Sequence, residues 1–514
     1  MQEIWKAIEK VVLLGTHRAQ LPEKIKQHIR RFPLHLHAAE APSLLQSLSF
    51  FHYLKKGAAR LPQLEELPPS VPDETLAVAP RVLQALIEKM RSDDIYKGVI
   101  PEYLKLTIDH GVLLAPSALY YLFEYYKNDL EGIALIQEVM GNAGLWLCRQ
   151  NPEWAIFNPL NREQLWEYGT AEDRQQALLQ LRMDDPNGAR ALLFETWPSE
   201  SWRNQLLFLS TLMVESSEDD IPFLESCLKA QSKDIRQLAG KVLCTIPASG
   251  FNEKIAELFL EIIDLEADNL SFTTPIDTSK LSLLANELAY SLEPIKWDKQ
   301  HKLALALSRY FMAQMAPTQW EKILQVKTST AYRYLEESAY FSRLKGAIAQ
   351  SIHLHQDVHW MPLFLKPFLD LEKTHWDHEA IQRLASHLPY AVFESLARHY
   401  TRFHKNILDA NSLMYFILIQ NEHAWPHELS LNIIQIFQDY LQYSRTYFGD
   451  DTDHYEDLLE VIALRSDPYL LSRLQIGWPQ GSFSWYRWEP QVKKMLRILH
   501  FRSALQKAFE PEGV

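Results

Sequence analysis

Glycine and cysteine are scarce in this chain of 514 residues, which contains 16 glycines and three cysteines. Dinucleotide-binding units and phosphate-binding loops use glycine where a side chain would block the ligand or the turn. Neither GxGxxG nor GxxxxGK[ST] occurs in the chain. Three cysteines with no CxxC pair exclude a disulfide framework and a zinc site of paired cysteines. We therefore expect a reducing compartment and a cytoplasmic protein.

Long apolar runs are also missing. The longest stretches without Asp, Glu, Lys or Arg, such as 41–54 and 111–123, are shorter than the ~18–20 residues of a membrane-spanning helix. The first residues, MQEIWK, contain an acid and no apolar segment typical of a signal peptide. We expect a soluble protein without a membrane partner.

The chain also lacks a net positive charge, because 65 acidic and 52 basic residues give a net charge of −13. A protein that coats nucleic acid or an anionic membrane needs the opposite sign. The charge is uneven, however: residues 1–60 carry ten basic and four acidic residues, a net of +6, and the other 42 basic and 61 acidic residues give −19. A nucleic-acid-binding helical-repeat protein of the HEAT-like class is therefore an alternative function, which the charge of residues 61–514 opposes and that of the first 60 residues leaves open.

Helical periodicity is present in nearly every region. Apolar residues recur three and four positions apart, as in Ile433, Phe437 and Leu441, whereas the alternation typical of strands is nearly absent. The pattern predicts an all-α protein. We expect a first helix over 2–14 that ends at Gly15, a helix that Pro116 opens, and a final basic helix over 490–509.

Residues 163–250 are typical of helical hairpins. Helices are predicted over 171–181 and 187–196, with Asp185-Pro186 as the break between them. After a second pair of predicted helices over 200–213 and 221–229, Asp234 and Arg236 have the spacing of a HEAT-type second helix, in which Asp and Arg form a ladder at the turn. The sequence predicts an α-solenoid of HEAT-like hairpins with an N-terminal helical segment.

Composition divides the chain into four segments. Residues 57–81 contain five prolines and are predicted to be a linker. They separate a basic N-terminal helical segment over 1–56 from a helical region over 82–250, whose repeats are clearest over 163–250. A C-terminal helical region covers 251–514.

Catalytic motifs are few. No GxSxG elbow occurs, and each cysteine lies among apolar neighbours. His355 and His359 are four residues apart, which on a helix would place two imidazoles on one face, as a zinc site requires. A solvated helix face explains the same spacing. We expect no cofactor, no metal and no catalytic residue, and keep a hydrolase with a histidine-built metal site as an alternative.

Three groups of residues are candidate interaction sites. They are the basic Arg18, Lys24, Lys26, Arg30 and Arg31, the acidic Asp450, Asp451 and Asp453, and the aromatic Trp485 and Trp488. Each group has a second interpretation. The basic residues can face the acidic remainder of the chain, the acids can form a solvated loop before a helix, and the aromatic residues can close one end of the core.

Three sets of residues resemble motifs of a bacterial family without an established activity. They are Trp5 with Leu13-Leu14-Gly15-Thr16, Arg18 and Leu21-Pro22; Gly141, Gly144, Trp146-Leu147, Asn151-Pro152 and Trp154; and Asp185-Pro186, Ala189-Arg190, Leu192-Leu193 and Trp197. The genes of that family tend to lie beside a MoxR-type AAA ATPase, a von Willebrand factor A (VWA) domain protein and a SWIM zinc-finger protein. The resemblance implies a helical scaffold that works with an ATPase-driven system, and it implies no catalytic residues. A non-enzymatic scaffold that binds a protein partner is the leading hypothesis.

Overall fold

The computed structural model describes residues 2–16, 18, 20–30, 36, 39–57, 70–159, 162–266, 269–272, 300–404, 406–443, 454–482 and 485–510. The chain forms two compact units, Met1–Ser70 and Val71–Val514, called here the small unit and the large unit. The small unit carries ten basic and six acidic residues, and the large unit carries 42 and 59. Their net charges are therefore +4 and −17. The division into four segments stays a prediction.

The small unit contains α1 (Gln2–Leu14), α2 (Glu23–Ile29) and α3 (Glu40–Gly57). The predicted end of the first helix is confirmed. Gly15 has a φ of 77°, a left-handed conformation that glycine adopts without a steric penalty, and its N–H donates to the carbonyl of Val11 at 2.9 Å. Helix α1 packs against α3. Ile8, Ile25 and Phe51 are among the few residues of the small core between these helices.

The first half of the large unit is helical. Its α-helices are α4 (Arg81–Ser92), α5 (Ile100–Asp109), α6 (Pro116–Tyr126), α7 (Leu130–Val139), α8 (Gly141–Gln150), α9 (Arg162–Tyr168), α10 (Ala171–Asp184), α11 (Pro186–Thr196), α12 (Trp202–Leu209), α13 (Ile221–Cys227), α14 (Lys233–Thr245) and α15 (Phe251–Leu260). The predicted start at Pro116 and the hairpin that Asp185-Pro186 interrupts are confirmed. The Asp185 side chain accepts from the Gly188 N–H at 3.0 Å and so caps α11.

The second half continues in the same way. Its α-helices are α16 (Gln300–Met312), α17 (Thr318–Leu324), α18 (Thr328–Glu336), α19 (Phe341–Leu354), α20 (Trp360–Leu365), α21 (Lys373–Trp376), α22 (Glu379–Ser386), α23 (Tyr390–Phe403), α24 (Leu413–Gln420), α25 (His427–Tyr443), α26 (Tyr455–Arg465), α27 (Leu471–Leu474) and α28 (Trp485–Phe509). Short 3-10 helices lie at Asp94–Val99, Pro152–Phe157, Trp197–Ser199, Ser210–Met213, Glu218–Asp220, Pro247–Ser249, Lys366–Phe368 and Pro468–Leu470.

These helices stack in two parallel rows. One row runs α19, α22, α24, α26 and α28, each against the next, and the other runs α18, α20, α23 and α25. Helices of successive hairpins therefore pack on each other, as in helical-repeat proteins. Asn421 joins neighbouring hairpins, because its amide donates to the Ala385 carbonyl at 2.7 Å and accepts from the Leu388 N–H at 2.9 Å. The predicted all-α helical-repeat fold is confirmed.

The row of helices in the large unit returns to its own beginning. Helix α28 packs against α4, α5 and the 3-10 helix Asp94–Val99. The ring of Tyr96 stacks on that of Phe501, with centroids 4.4 Å apart. The first and last repeats of a solenoid expose apolar faces that need a cap. In this unit each of these two ends covers the other.

Several local predictions need correction. Helix α28 begins at Trp485 rather than at 490, and Pro490 lies inside it. In the added first turn Trp488 packs against Phe437, a tertiary contact that the proline signal does not contain. In the HEAT-type turn, Arg236 donates to the carbonyls of Ala230 and Gln231 rather than to an aspartate. One hairpin of strands, β1 (Ile263–Glu266) and β2 (Asn269–Phe272), pairs antiparallel with Ile263 opposite Phe272. No helix in the described ranges is both long and apolar enough to span a membrane.

Candidate functional site

The basic candidate residues lie on the small unit. The side chains of Arg18, Lys24 and Arg30 are exposed and that of Lys26 is half-buried. Arg30 donates to Glu23 at 3.2 Å across the surface of α2, an exposed ion pair of the kind that adds little stability. Arg31 lies outside the described residues, as do Asp450, Asp451 and Asp453. The structure therefore does not bring the basic and acidic candidates together in one described site.

The aromatic candidates pack inward. Trp488 is only 2% exposed, and its ring meets that of Phe437 edge-on at 4.9 Å. Trp485 is half-buried, and the centroid of its ring lies 5.9 Å from that of Trp478. Since Trp488 does not present its ring to solvent, it belongs to the core of the large unit. Tyr486 between them is the exposed ring of this segment.

An apolar groove on the small unit is the strongest candidate site that the sequence did not single out. We call it the α3 groove, a depression of about 460 Å³ lined by Ile29, Leu36, Leu45, Gln46, Ser49, Phe50 and Tyr53. Leu45, Ser49 and Tyr53 are four residues apart and share one face of α3. Leu45 is 65% exposed and Tyr53 is 72% exposed. Large apolar side chains that share an exposed helix face are typical of an interaction surface.

Mainly apolar side chains line the α3 groove. Ile29 lines it at the last residue of α2, and Arg30 follows directly in the sequence with its guanidinium paired to Glu23. The polar side chains among the groove's described lining residues are Gln46, Ser49 and Tyr53, and these residues include no carboxylate, imidazole or thiol.

Residues with reactive side chains occur elsewhere and are buried or dispersed. Cys148, Cys227 and Cys244 are free and buried, and burial raises the pKa of Cys148 and of Cys227 to about 12. At neutral pH such thiols are protonated and unreactive. Within the described part of the chain, no group of three or more His, Cys, Asp or Glu side chains is placed to hold a metal ion.

The expectation that His355 and His359 share one face of a helix is wrong. Helix α19 ends at Leu354 and α20 begins at Trp360, so both histidines lie in the connecting turn. Nε2 of His355 is hydrogen-bonded to the Gln314 carbonyl at 2.7 Å, and burial lowers the pKa of this imidazole. His359 is exposed. Gln356, with a φ of 48°, reverses the chain here, which periodicity alone does not reveal.

The fold defines a helical-repeat protein, and its candidate site is a binding surface. The chain belongs to the Family of unknown function (DUF5691), whose model matches residues 7–509. The resemblance to a family without an established activity is thereby confirmed, whereas its expected gene neighbourhood stays a prediction. No curated protein and no solved structure matches the chain.

Proposed function

We propose that this protein is a non-enzymatic adaptor in which the large unit is a helical scaffold and the small unit binds a protein partner. The α3 groove carries the proposal. Its exposed Leu45 and Tyr53 offer apolar area that water solvates poorly. Apolar surface of this kind is usually buried when a partner helix docks in a groove.

The charge of the small unit indicates the chemistry of the partner. The net charge of +4 on this unit favours an acidic segment. We infer an amphipathic helix whose apolar face enters the groove and whose acids face the basic surface of the small unit. A MoxR-type AAA ATPase or the VWA-domain protein of the same system is the partner we expect to carry it. Three free thiols suit the cytoplasm, where we place this interaction.

Binding between purified proteins tests the proposal. The full-length chain is titrated separately with the MoxR-type ATPase and with the VWA-domain protein encoded nearest to it, and the heat of binding is measured. We expect one of them to bind, and the double variant Leu45→Glu/Tyr53→Glu to bind at least about tenfold more weakly. Two acids in the groove remove apolar contact and repel an acidic helix.

A matched control separates the groove from exposed apolar residues in general. Phe194 is 65% exposed and Tyr168 is 84% exposed, and both lie on the large unit. The variant Phe194→Glu/Tyr168→Glu should bind like the wild type. Equal loss in both variants would place the partner elsewhere, and the absence of binding by either protein would reject the partner class. Binding to duplex or single-stranded DNA at low salt would favour the nucleic-acid alternative.

A further inference from the structure

A polar cavity of about 290 Å³ lies within the large unit, independent of the α3 groove. We call it the Lys241 cavity. It is lined by Met213, Lys241, Gln350, His353, Leu354, Gln356, His378, Glu379, Ala380 and Arg383. These residues come from the 3-10 helix Ser210–Met213, from α14, from the end of α19 with its following turn, and from the first two turns of α22 with the preceding His378. The cavity therefore joins helices that are more than 100 positions apart in the sequence.

Two cations face this cavity without full compensation. Lys241 is half-buried, and within the described residues it has no ion pair and no side-chain hydrogen bond. Burial and the nearby charge of Arg383 both lower the pKa of Lys241. The Arg383 side chain is 53% exposed and pairs at 2.5 Å with Glu379, whose carboxylate is 82% exposed. Lys241 and Arg383 thus lie close enough at this cavity for their charges to interact, in a unit whose net charge is −17. An anion between them would relieve their repulsion.

Two histidines line this cavity, and one of them has a ring nitrogen without a partner. Nδ1 of His353 is buried and has no partner, a costly state for a polar atom unless a ligand or water completes it. Nδ1 of His378 accepts from the Ala380 N–H at 3.2 Å, so the proton of its neutral form is on Nε2. A side chain at position 346 would prevent this arrangement, because a Cβ on Gly346 would lie 2.2 Å from that Nε2.

We propose that the Lys241 cavity binds a small ligand through a phosphate group. Arg383 and Lys241 supply the positive charge, since guanidinium and ammonium groups form strong charge-assisted hydrogen bonds to phosphate oxygens. Nδ1 of His353, which has no partner in the protein, is a further ring nitrogen that can bond to such an anion. The first turn of α22 places the positive end of a helix dipole at the cavity. At about 290 Å³ the cavity is at the small end of ligand sites, which suits inorganic phosphate or a small phosphate monoester.

Calorimetric titration of the full-length protein tests the assignment. The probes are inorganic phosphate, glycerol 3-phosphate and acetate, each in a chloride buffer of constant ionic strength. We expect saturable binding of at least one phosphate probe and much weaker binding of acetate. Arg383→Gln and Lys241→Gln should each weaken phosphate binding by about tenfold, the effect of losing one charge-assisted hydrogen bond. Preference for the monoester would identify the ligand as a phosphate ester, and equal affinity would identify the ion itself.

Arg398 provides the matched control. It forms an exposed ion pair with Glu394 four residues earlier at 2.9 Å, as Arg383 does with Glu379, but it lies outside the cavity. Arg398→Gln should bind phosphate within about twofold of the wild type. Absence of binding by both phosphate probes, equal affinity for acetate, or an equal loss in Arg398→Gln would each overturn the proposal.

A second measurement covers variants that fail to fold. The wild-type unfolding temperature is recorded with phosphate and with chloride at equal ionic strength, and a ligand of the folded state should raise it. His353→Asn keeps a polar side chain of smaller size and should reduce that rise. An identical unfolding temperature in the two salts would contradict the proposed site.

Discussion

Arg502 in α28 donates to both carboxylate oxygens of Glu102 in α5, at 2.5 and 3.3 Å, across 400 positions of the chain. The same guanidinium donates to the carbonyls of Ala463 and Ser466 at 2.7 and 2.6 Å. Arg502 is buried, so these bonds form away from most solvent. One side chain thus fastens the last helix of the large unit to one of its first helices and to its neighbour in the row.

Removal of this guanidinium should destabilise the large unit. Arg502→Ala leaves the Glu102 carboxylate and two carbonyls without their donor. Loss of one partner of a buried pair costs about 3–5 kcal/mol in the free energy of unfolding. We expect a clearly lower unfolding midpoint in guanidinium chloride, followed by tryptophan fluorescence.

Arg497 is the control for this prediction. It pairs with Asp93 at 3.2 Å across the same junction, but both side chains are largely exposed. Arg497→Ala should cost at most about 1 kcal/mol. If the two variants unfold at the same denaturant concentration, burial of the Arg502 pair does not hold the junction together.

Because of Asp220, the free energy of unfolding should fall as the pH is lowered through the acid range. Asp220 is fully buried and accepts hydrogen bonds from Arg182 at 3.1 Å and from Arg190 at 2.7 Å. Burial alone would raise the pKa of Asp220, but the two arginines outweigh it and lower that pKa. The stabilisation is therefore present above the unfolded-state pKa of about 3.9 and is lost as the pH falls through the folded-state value.

Asp220→Asn tests this sign. The substitution leaves the buried Arg182 without its counter-charge, and we expect a loss of about 3–5 kcal/mol at neutral pH. The difference in the free energy of unfolding between wild type and variant should stay constant between pH 5 and 8 and shrink below about pH 4. Glu394→Gln, on an exposed pair, should change little at any pH. If this difference in the free energy of unfolding increases on acidification, the pKa of Asp220 is not lowered in the folded protein.

Gly15 should contribute to the stability of α1 against local opening. An alanine at this position must adopt a φ near 77°, at a cost of about 1 kcal/mol. Nothing lies within 4 Å of the added Cβ, so the cost is conformational. In Gly15→Ala, amide hydrogen exchange in α1 should accelerate about fivefold.

Gly481 is the matching glycine for that measurement. It also has open space around an added Cβ, but its φ lies outside the left-handed range. Gly481→Ala should leave exchange in its surroundings unchanged or slow it slightly, because alanine restricts the unfolded chain. Equal effects of the two substitutions would show that the left-handed turn at Gly15 is not what ends α1.

Much of the secondary structure can be predicted from the sequence because helices follow local rules. Gly15 ends α1, Pro116 opens α6 and Asp185-Pro186 separates α10 from α11, each through a backbone preference that acts within a few residues. The same rules fail where packing decides. Helix α28 extends five residues before the predicted start, in a turn where Trp488 is buried. The chain leaves the helix at His355, next to an unfavourable φ at Gln356.

The sites depend on contacts that no local pattern contains. The uncharged stretch 41–54 belongs to α3, but in the sequence it shows only that this stretch is too short for a membrane helix. That Ile29 of α2 and Leu45 of α3 line one groove is seen only in the structure. The Lys241 cavity gave no signal, since Lys241 and Arg383 are 142 positions apart and neither belongs to a motif.

The sequence by itself determined an all-α chain of helical hairpins with a basic beginning and an acidic remainder, because periodicity, helix-ending residues and charge are properties of short segments. Only the tertiary structure decided that the large unit closes through Arg502 and Glu102, that Arg182 and Asp220 are buried as a pair, and that Lys241 and Arg383 line one cavity. Each of these depends on how distant helices stack. Their free energy comes from burial and from charges brought together, which the order of residues along the chain does not display.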